Sequence, residues 1–167
     1  LRVGDEIEIA PGRKTEVAGK TVYEKITTTI TSLEAGGRSV DEVLPGGLIA
    51  IGTGLDASIT KSDGLTGRVL GRPGELPRVA HDFSMKTVLL DRVVGSSAEL
   101  SVEDIKSNEP LMLSVGTATT VGVVKSARNG SAEVALKIPV CIQPGQRVAI
   151  SRRISNKWRL IGYGIIE

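Results

Sequence analysis

Aromatic residues are scarce in this sequence of 167 residues, where one Phe, one Trp and two Tyr make up 2% of the chain. A surface that stacks single-stranded bases needs several aromatic rings, so that class of binding protein is disfavoured. Hydrophobic residues still amount to 40% of the sequence. The core must therefore be built mainly from Val, Ile and Leu, which favours β-strands.

Cysteine and histidine are almost absent. The single Cys141 excludes a disulfide within the chain and is typical of a protein of the reducing cytosol. With one histidine, His81, and no Cys-x-x-Cys pair, the sequence indicates no metal site. His81 lies beside Asp82, but no nucleophile motif in a strand–turn–helix setting accompanies this pair. We therefore predict no active site in this chain.

Strong net charge and long apolar runs are also missing. The formal net charge is only +2, so any binding of nucleic acid must depend on a local patch rather than on a global field. No apolar run approaches the roughly 18 residues of a membrane span, and no signal peptide opens the sequence. We expect a cytoplasmic chain that has no membrane partner.

Glycine, in contrast, is abundant, with 20 residues spread along the chain. Short β-branched runs alternate with turn signals about every ten residues, which is typical of antiparallel sandwiches and barrels. The turn signals are Pro11-Gly12, Gly36-Gly37, Pro45-Gly46-Gly47, Asp63-Gly64, Pro73-Gly74, Asn129-Gly130 and Pro144-Gly145. We predict an all-β chain with almost no helix, and a buried strand that begins at Leu48.

Two all-β units are expected, because a proline-bracketed glycine in residues 71–77 has the composition of a linker. We place the domains at residues 1–77 and 78–167. The first is short for a closed barrel, and its first strand has no obvious partner. Since unpaired edge strands are a liability, we expect that this barrel lacks N-terminal strands that precede Leu1.

Residues 139–163, near the C-terminus, are the most informative stretch. Apolar alternation and the turn formers Ser155-Asn156 predict a β-hairpin. Trp158 and four basic residues surround its tip, which suggests a surface that meets an anionic partner such as RNA. Neighbouring side chains on a strand point to opposite faces, so Arg152 and Arg153 cannot share one patch. We expect Trp158 to pack rather than stack on a base. The four basic residues are Arg152, Arg153, Lys157 and Arg159.

Several segments also carry a family resemblance. Residues 1–12 resemble the second domain of translational GTPases, where an apolar-basic-Val-Gly-Asp strand precedes a Pro-Gly turn. Residues 45–71 resemble the gamma subunit of archaeal and eukaryotic translation initiation factor 2. Ile150-Ser-Arg-Arg and Trp158-Arg-Leu-Ile-Gly-Tyr-Gly match it most specifically, and the compact loop 95–102 resembles archaeal members. The resemblance covers essentially the whole chain.

The resemblance implies a fold and a function. In that family a GTPase domain precedes two β-barrels, and only the barrels are matched by this chain. The family delivers methionylated initiator tRNA to the small ribosomal subunit, as a heterotrimer with alpha and beta subunits. GTP and magnesium belong to the GTPase domain, so the resemblance implies no cofactor and no enzyme activity in this chain.

The resemblance also implies two sets of binding residues. A loop that docks the alpha subunit matches Leu55, Asp56, Thr60, Lys61 and Asp63, although Ala57 replaces the usual proline. A turn in which Asp56 stabilises its own backbone is the simpler interpretation, and both can hold together. The wall facing the acceptor end of tRNA matches Arg38, Gly46, Gly47, Gly52 and Thr53, where glycine lets the backbone approach an adenosine. Glu34 stands where some relatives have an arginine.

Three alternatives remain open at this point. The chain can be the barrel pair of a selenocysteine-specific or general elongation factor. It can also be a small independent β-barrel enzyme, which the missing catalytic set disfavours, or a structural module with no ligand of its own.

Overall fold

The computed structural model describes residues 1–95 and 100–167, so half of the archaeal-type loop 95–102 lies outside the described residues. The described chain is all-β, as predicted. It forms two compact units, Leu1–Leu76 and Pro77–Glu167.

The first unit is a five-stranded antiparallel sheet in the order β3-β2-β1-β5, with β4 paired to β2. Ile7, Ile30 and Leu33 are fully buried and form its core. The sheet does not close into a ring within these residues. The strands are β1 (Glu6–Val17), β2 (Lys20–Ala35), β3 (Arg38–Ser39), β4 (Ile49–Thr53) and β5 (Val69–Gly71).

One predicted turn is wrong. Pro11-Gly12 does not reverse the chain but lies inside β1, where the pairing with β2 slips between Ile9 and Arg13. Gly12 has a φ of +91°, and a Cβ there would overlap the backbone of Glu24. The pair therefore makes a bulge that only glycine permits, and the strand continues beyond it.

A second prediction is wrong at Leu48. The strand β4 begins one residue later, at Ile49, and the side chain of Leu48 is 93% exposed. Leu44, on the other side of Pro45-Gly46-Gly47, is 76% exposed. The apolar run correctly predicted a strand here, but two leucines that flank the turn lie outside the core.

The second unit is a closed six-stranded antiparallel barrel in the order β10-β11-β6-β9-β8-β7. Its interior is filled with aliphatic side chains, among them Leu111, Leu113, Ile150 and Ile161, which are fully buried. Cys141 is also buried, as a small apolar residue in a strand. The strands are β6 (Arg78–Leu89), β7 (Pro110–Val115), β8 (Ala118–Arg128), β9 (Ser131–Ile142), β10 (Arg147–Ile154) and β11 (Lys157–Ile166).

The C-terminal hairpin is confirmed. Ser155 and Asn156 both have positive φ and join β10 to β11 in a two-residue turn. Across the ladder Arg152 lies opposite Arg159, and Arg153 lies opposite Trp158. The alternation along β10 therefore separates the two neighbouring arginines, as predicted.

Helical structure is limited to two short 3₁₀ helices, Ala57–Ile59 and Lys61–Asp63, in residues 1–95 and 100–167. Within those ranges no helix has the length and apolarity needed to cross a bilayer. No group of three or more His, Cys, Asp or Glu in the same ranges could hold a metal ion.

Candidate functional site

Asp56 shapes the exposed loop that follows β4. It is the N-cap of the Ala57–Ile59 helix, and its Oδ1 accepts a hydrogen bond from the backbone N–H of Ser58 at 2.8 Å. This arrangement is the self-stabilising turn that the sequence suggested as one interpretation. The interpretation as a turn is confirmed, while alpha-subunit docking stays a prediction.

Electrostatics favour the charged form of Asp56. Hydrogen bonding by the side chain of Ser58, and then by its backbone N–H, holds the pKa of Asp56 below its ordinary value, against a smaller opposing effect of desolvation. The carboxylate stays ionised at neutral pH and is exposed to solvent. A fixed negative charge is thus presented at a defined place in the loop.

The rest of the predicted alpha-docking set lies in the same loop. Thr53 Oγ1 accepts a hydrogen bond from Leu55 N at 3.4 Å, and Thr60 Oγ1 donates to the Ala57 carbonyl at 3.0 Å. Lys61 and Asp63 are exposed, and Asp63 adopts a left-handed backbone with φ of 58°. Local hydrogen bonds therefore fix the loop backbone and leave the charged side chains of Lys61 and Asp63 exposed to solvent.

A groove of about 290 Å³ connects this loop with the hairpin formed by β1 and β2. Ile59 contributes from the loop side, and Ile26 lines it from β2. No sequence signal predicted this groove, because it depends on the tertiary approach of two segments about 30 residues apart. The remaining lining residues are Arg13, Glu24, Lys25 and Thr27.

The predicted tRNA wall is only partly brought together. Arg38 on β3 and Ile49 on β4 pair with Ala35 from its two sides, so Arg38 and the Gly46-Gly47 turn both adjoin the same end of β2. Both glycines have positive φ, 126° and 71°, and are exposed. Gly52 and Thr53 lie further along β4, where Thr53 pairs with Ile30.

Gly52 has a packing reason to be glycine. A Cβ at this position would overlap the hydroxyl of Ser32, its partner across the ladder, and would lie 3.2 Å from the hydroxyl of Thr31. Close approach of β2 thus accounts for this glycine without a ligand, whereas the Gly46-Gly47 turn remains open to solvent.

The four basic residues of the hairpin have different surroundings. Arg152 makes a two-pronged ion pair with Glu109, and both side chains are less than a fifth exposed. The guanidinium of Arg159 lies against Gly95. Arg153 Nη2 donates to Asn156 Oδ1 at 3.3 Å on the exposed side, and Lys157 is exposed at the turn. These residues do not form one patch, and their contact with RNA stays a prediction.

Together these features describe an all-β chain of the kind found in the barrel domains of translational GTPases, with its binding candidates on both strands and exposed loops. The family model described as "Initiation factor eIF2 gamma, C terminal" matches residues 81–166. The chain therefore belongs to the initiation factor 2 gamma family. This match decides against the elongation-factor alternative as the family of this chain.

Several curated relatives match over the full chain. The translation initiation factor 2 subunit gamma of Methanothermobacter thermautotrophicus is 58% identical over 167 residues. The corresponding subunits of Pyrococcus furiosus and Haloquadratum walsbyi are 55% and 54% identical. In each case 100% of this chain is covered, and the chain spans 41% of the length of the relative.

Proposed function

We propose that this chain is the β-barrel part of an initiation factor 2 gamma subunit, which helps bind methionylated initiator tRNA and dock the alpha subunit. In this proposal the subunit acts in the cytoplasm, as a heterotrimer with alpha and beta subunits that delivers the tRNA to the small ribosomal subunit. GTP and magnesium are held by a GTPase domain, and this chain contributes no catalytic group. The observation that carries the proposal is the preformed, exposed loop around Asp56.

The Asp56 loop has properties suited to docking a protein. Its backbone is already ordered by the contacts of Asp56 and Thr60, so little conformational entropy is lost on binding. Asp56 and Lys61 offer charges of opposite sign, which fix the orientation of a complementary surface. The neighbouring groove offers the apolar side chains of Ile26 and Ile59. The alpha subunit is the partner that family membership suggests.

Substitution of Asp56 tests alpha docking. In the complete gamma subunit, Asp56→Ala should weaken alpha binding about 30-fold or more, as loss of one partner in an interfacial charge pair does. Asp56→Asn keeps an oxygen that can cap Ser58 N–H but removes the charge. If Asp56→Asn weakens alpha binding as much as Asp56→Ala does, the partner recognises the charge. If Asp56→Asn binds normally, the partner recognises the shape of the loop.

Asp41→Ala, at another exposed carboxylate of the same unit, is the matched control and should bind alpha normally. Titration calorimetry gives each affinity. Unchanged affinity for both Asp56 variants would overturn the docking proposal.

For tRNA, support comes from the turn between Leu44 and Leu48. Two leucines that are mostly exposed flank a Gly-Gly pair that has no Cβ atoms, and Arg38 adjoins the same strand end. Backbone that is free of side chains can approach a terminal nucleotide, while the arginine can meet a phosphate. Gly52 and Thr53 stay within this proposal as more distant members of the wall.

Filter binding of methionylated initiator tRNA tests this assignment. We expect weak, salt-sensitive binding by this chain alone and stronger binding by the complete subunit. In the complete subunit Arg38→Ala should lower the affinity several-fold, while Arg72→Ala, at another exposed arginine of the first unit, should not. Equal affinities for wild type and Arg38→Ala would contradict the role of Arg38. If the chain alone binds no tRNA and its substitutions leave tRNA binding by the complete subunit unchanged, a purely structural module is favoured.

A contact with tRNA or ribosomal RNA at the hairpin tip is proposed mainly for Arg153 and Lys157, because both are exposed. Arg152 and Arg159 are partly covered by other parts of the barrel unit. Arg153→Ala with Lys157→Ala should therefore reduce RNA binding more than any single substitution at Arg159. Filter binding at two salt concentrations measures the difference.

A further inference from the structure

The barrel order places β6 and β7 on opposite sides of the ring. In the closed order β10-β11-β6-β9-β8-β7 these strands are three positions apart, in either direction. β6 nevertheless precedes β7 directly in sequence. Between these strands the chain must therefore pass from one side of the ring to the other. The described residues that lead into β7, residues 100–109, are called the strap below.

The strap covers the interior of the barrel at one end. Val102 and Ile105 pack against the core cluster. A groove of about 310 Å³ lies on one side of the strap and is lined by Glu109, Arg152 and Ile154 among others. Ile105 and its neighbour Asp104 line a second groove of about 390 Å³, with the β8–β9 hairpin on the far side. The strap thus divides the barrel mouth.

Among the described residues, backbone hydrogen bonds to segments outside the strap are found only near its two ends. Val102 N donates at 3.2 Å to the carbonyl of Asp91, which lies in the same connection just after β6, and Asn108 N donates at 2.7 Å to the carbonyl of Val124 in β8. Between Val102 and Asn108, the described hydrogen bonds of the strap backbone are made with side chains or with other residues of the strap. A segment held this way can open without breaking any strand pairing.

Arg152 supplies the hydrogen bonds of this middle part. Its Nη1 donates to the Glu103 carbonyl at 2.9 Å, and its Nη2 donates to the Asp104 carbonyl at 3.1 Å. Its Nε and Nη2 also hold the carboxylate of Glu109, whose Oε2 accepts from Lys106 N at 3.0 Å. One guanidinium therefore binds three strap residues directly and a fourth through Glu109.

We propose that Arg152 is the fastening residue of a strap that closes the barrel mouth, and that the strap opens as a local unit when this fastening is lost. The six strands stay paired when the strap opens, because the hydrogen bonds between the Arg152 side chain and the strap are separate from the backbone hydrogen bonds that pair the strands. Opening joins the two grooves and exposes the apolar side chains of Val102 and Ile105. This inference does not depend on the proposed tRNA or alpha-subunit binding.

Hydrogen exchange in the complete subunit tests the proposal. In Arg152→Met, the amides of Val102 and Lys106 should exchange at least about ten-fold faster than in wild type, as loss of charge-assisted hydrogen bonds implies. The amide of Val134, in the core, should be unchanged. Arg153→Met is the matched control on the opposite face of β10, and it should leave strap exchange as in wild type.

Several outcomes would overturn the proposal. Strap amides that exchange at the wild-type rate would show that Arg152 does not fasten it, and equal acceleration of Val102 and Val134 would show global rather than local opening. If Arg152→Met does not fold, Glu109→Gln provides the same test, since it weakens the ion pair and should speed exchange at Lys106. If Glu109→Gln folds and its Lys106 amide still exchanges as slowly as in wild type, the proposal is overturned as well.

Arg152→Lys separates the charge from the forked geometry. An ammonium group cannot hold two carbonyls and a carboxylate in the same arrangement, so strap exchange should lie between wild type and Arg152→Met. Full restoration by lysine would show that charge alone suffices, which contradicts the geometric fastening described here.

Discussion

Gly162 in β11 lies directly against the backbone of Val88 in β6. A Cβ on Gly162 would overlap the Val88 carbonyl oxygen and would lie 2.9 Å from the Cα of Leu89. Both obstacles are main-chain atoms of a neighbouring barrel strand, so they cannot rotate away. The glycine of the Leu-Ile-Gly-Tyr motif is therefore required by strand packing.

Gly162→Ala should destabilise the protein by about 2 kcal/mol or more, because the new methyl group forces two barrel strands apart. Denaturant unfolding measures the loss. Gly54→Ala is the control: Gly54 has an ordinary φ, and no described atom lies within 4 Å of a Cβ built there. It should stay within about 0.5 kcal/mol of wild type. Equal stabilities of the two variants would contradict this reading of Gly162.

Thr120 is a polar residue that is buried in the barrel, at 3% exposure. Its hydroxyl donates to the Ile138 carbonyl at 2.9 Å and accepts from Ile138 N at 3.0 Å. Thr120→Val keeps the shape but leaves both backbone groups of Ile138 without these partners. We expect a loss of about 1–3 kcal/mol in unfolding free energy.

Thr120→Ser is the matched control for this position, since it keeps the hydroxyl and removes one methyl group. Its loss should be smaller than that of Thr120→Val in the same thermal or denaturant unfolding experiment. A valine variant that is as stable as the serine variant would show that Ile138 finds other partners.

Asp56 should titrate below the ordinary aspartate value of 3.8. Because its pKa is lower in the folded protein, the stabilisation by its cap is complete above that ordinary value and is lost as the pH falls through the folded value. NMR of the Asp56 carboxyl and of the Ser58 amide measures the midpoint. Ser58→Ala, which removes the hydroxyl, should move the midpoint back toward 3.8. A wild-type midpoint at or above 3.8 would refute the cap.

Lys125 bridges two carboxylates on the barrel surface, Asp82 at 2.9 Å and Glu133 at 3.1 Å. The hydrogen bond from Lys125, and next its charge, lowers the pKa of Asp82. Lys125→Met should therefore raise the pKa of Asp82, and added salt should raise it in wild type as well. The stability that depends on this pair is present above pH 3.8 and declines as the pH falls. Lys137→Met, at another exposed lysine, should leave Asp82 unchanged.

Leu48→Ser should leave the unfolding free energy within about 0.5 kcal/mol of wild type, because this side chain is 93% exposed. Leu33→Ala, in the core of the same sheet, should cost about 2–5 kcal/mol. Chemical denaturation compares them. A large loss for Leu48→Ser would show that the leucine is covered in solution.

Much of the fold could be predicted from sequence because its turns carry local signals. Asn129-Gly130 and Ser155-Asn156 both join strands, as their types suggest, and the alternation between Arg152 and Arg153 holds. At Pro11-Gly12 the same kind of signal failed. A bulge and a turn can both use the positive φ that glycine adopts readily, and only the partner strand decides between them.

The candidate site was less predictable, because local sequence does not show which other segments approach a residue. The cap of Asp56 is local, and it was anticipated as one interpretation. The ion pair between Arg152 and Glu109 joins residues 43 positions apart, and the hydroxyl of Thr120 forms hydrogen bonds with a residue 18 positions away. Both contacts depend on how the barrel closes, which neither motif nor periodicity reveals.

The closure of the barrel also has a consequence for how the protein is made. β11 lies between β10 and β6, so the ring is incomplete until residues 157–166 are available. During synthesis, β6 leaves the ribosome about 70 residues before its second neighbour exists. Since pairings so distant in sequence form slowly, we expect the barrel to finish folding only after the last strand has emerged, with one edge of β6 exposed until then.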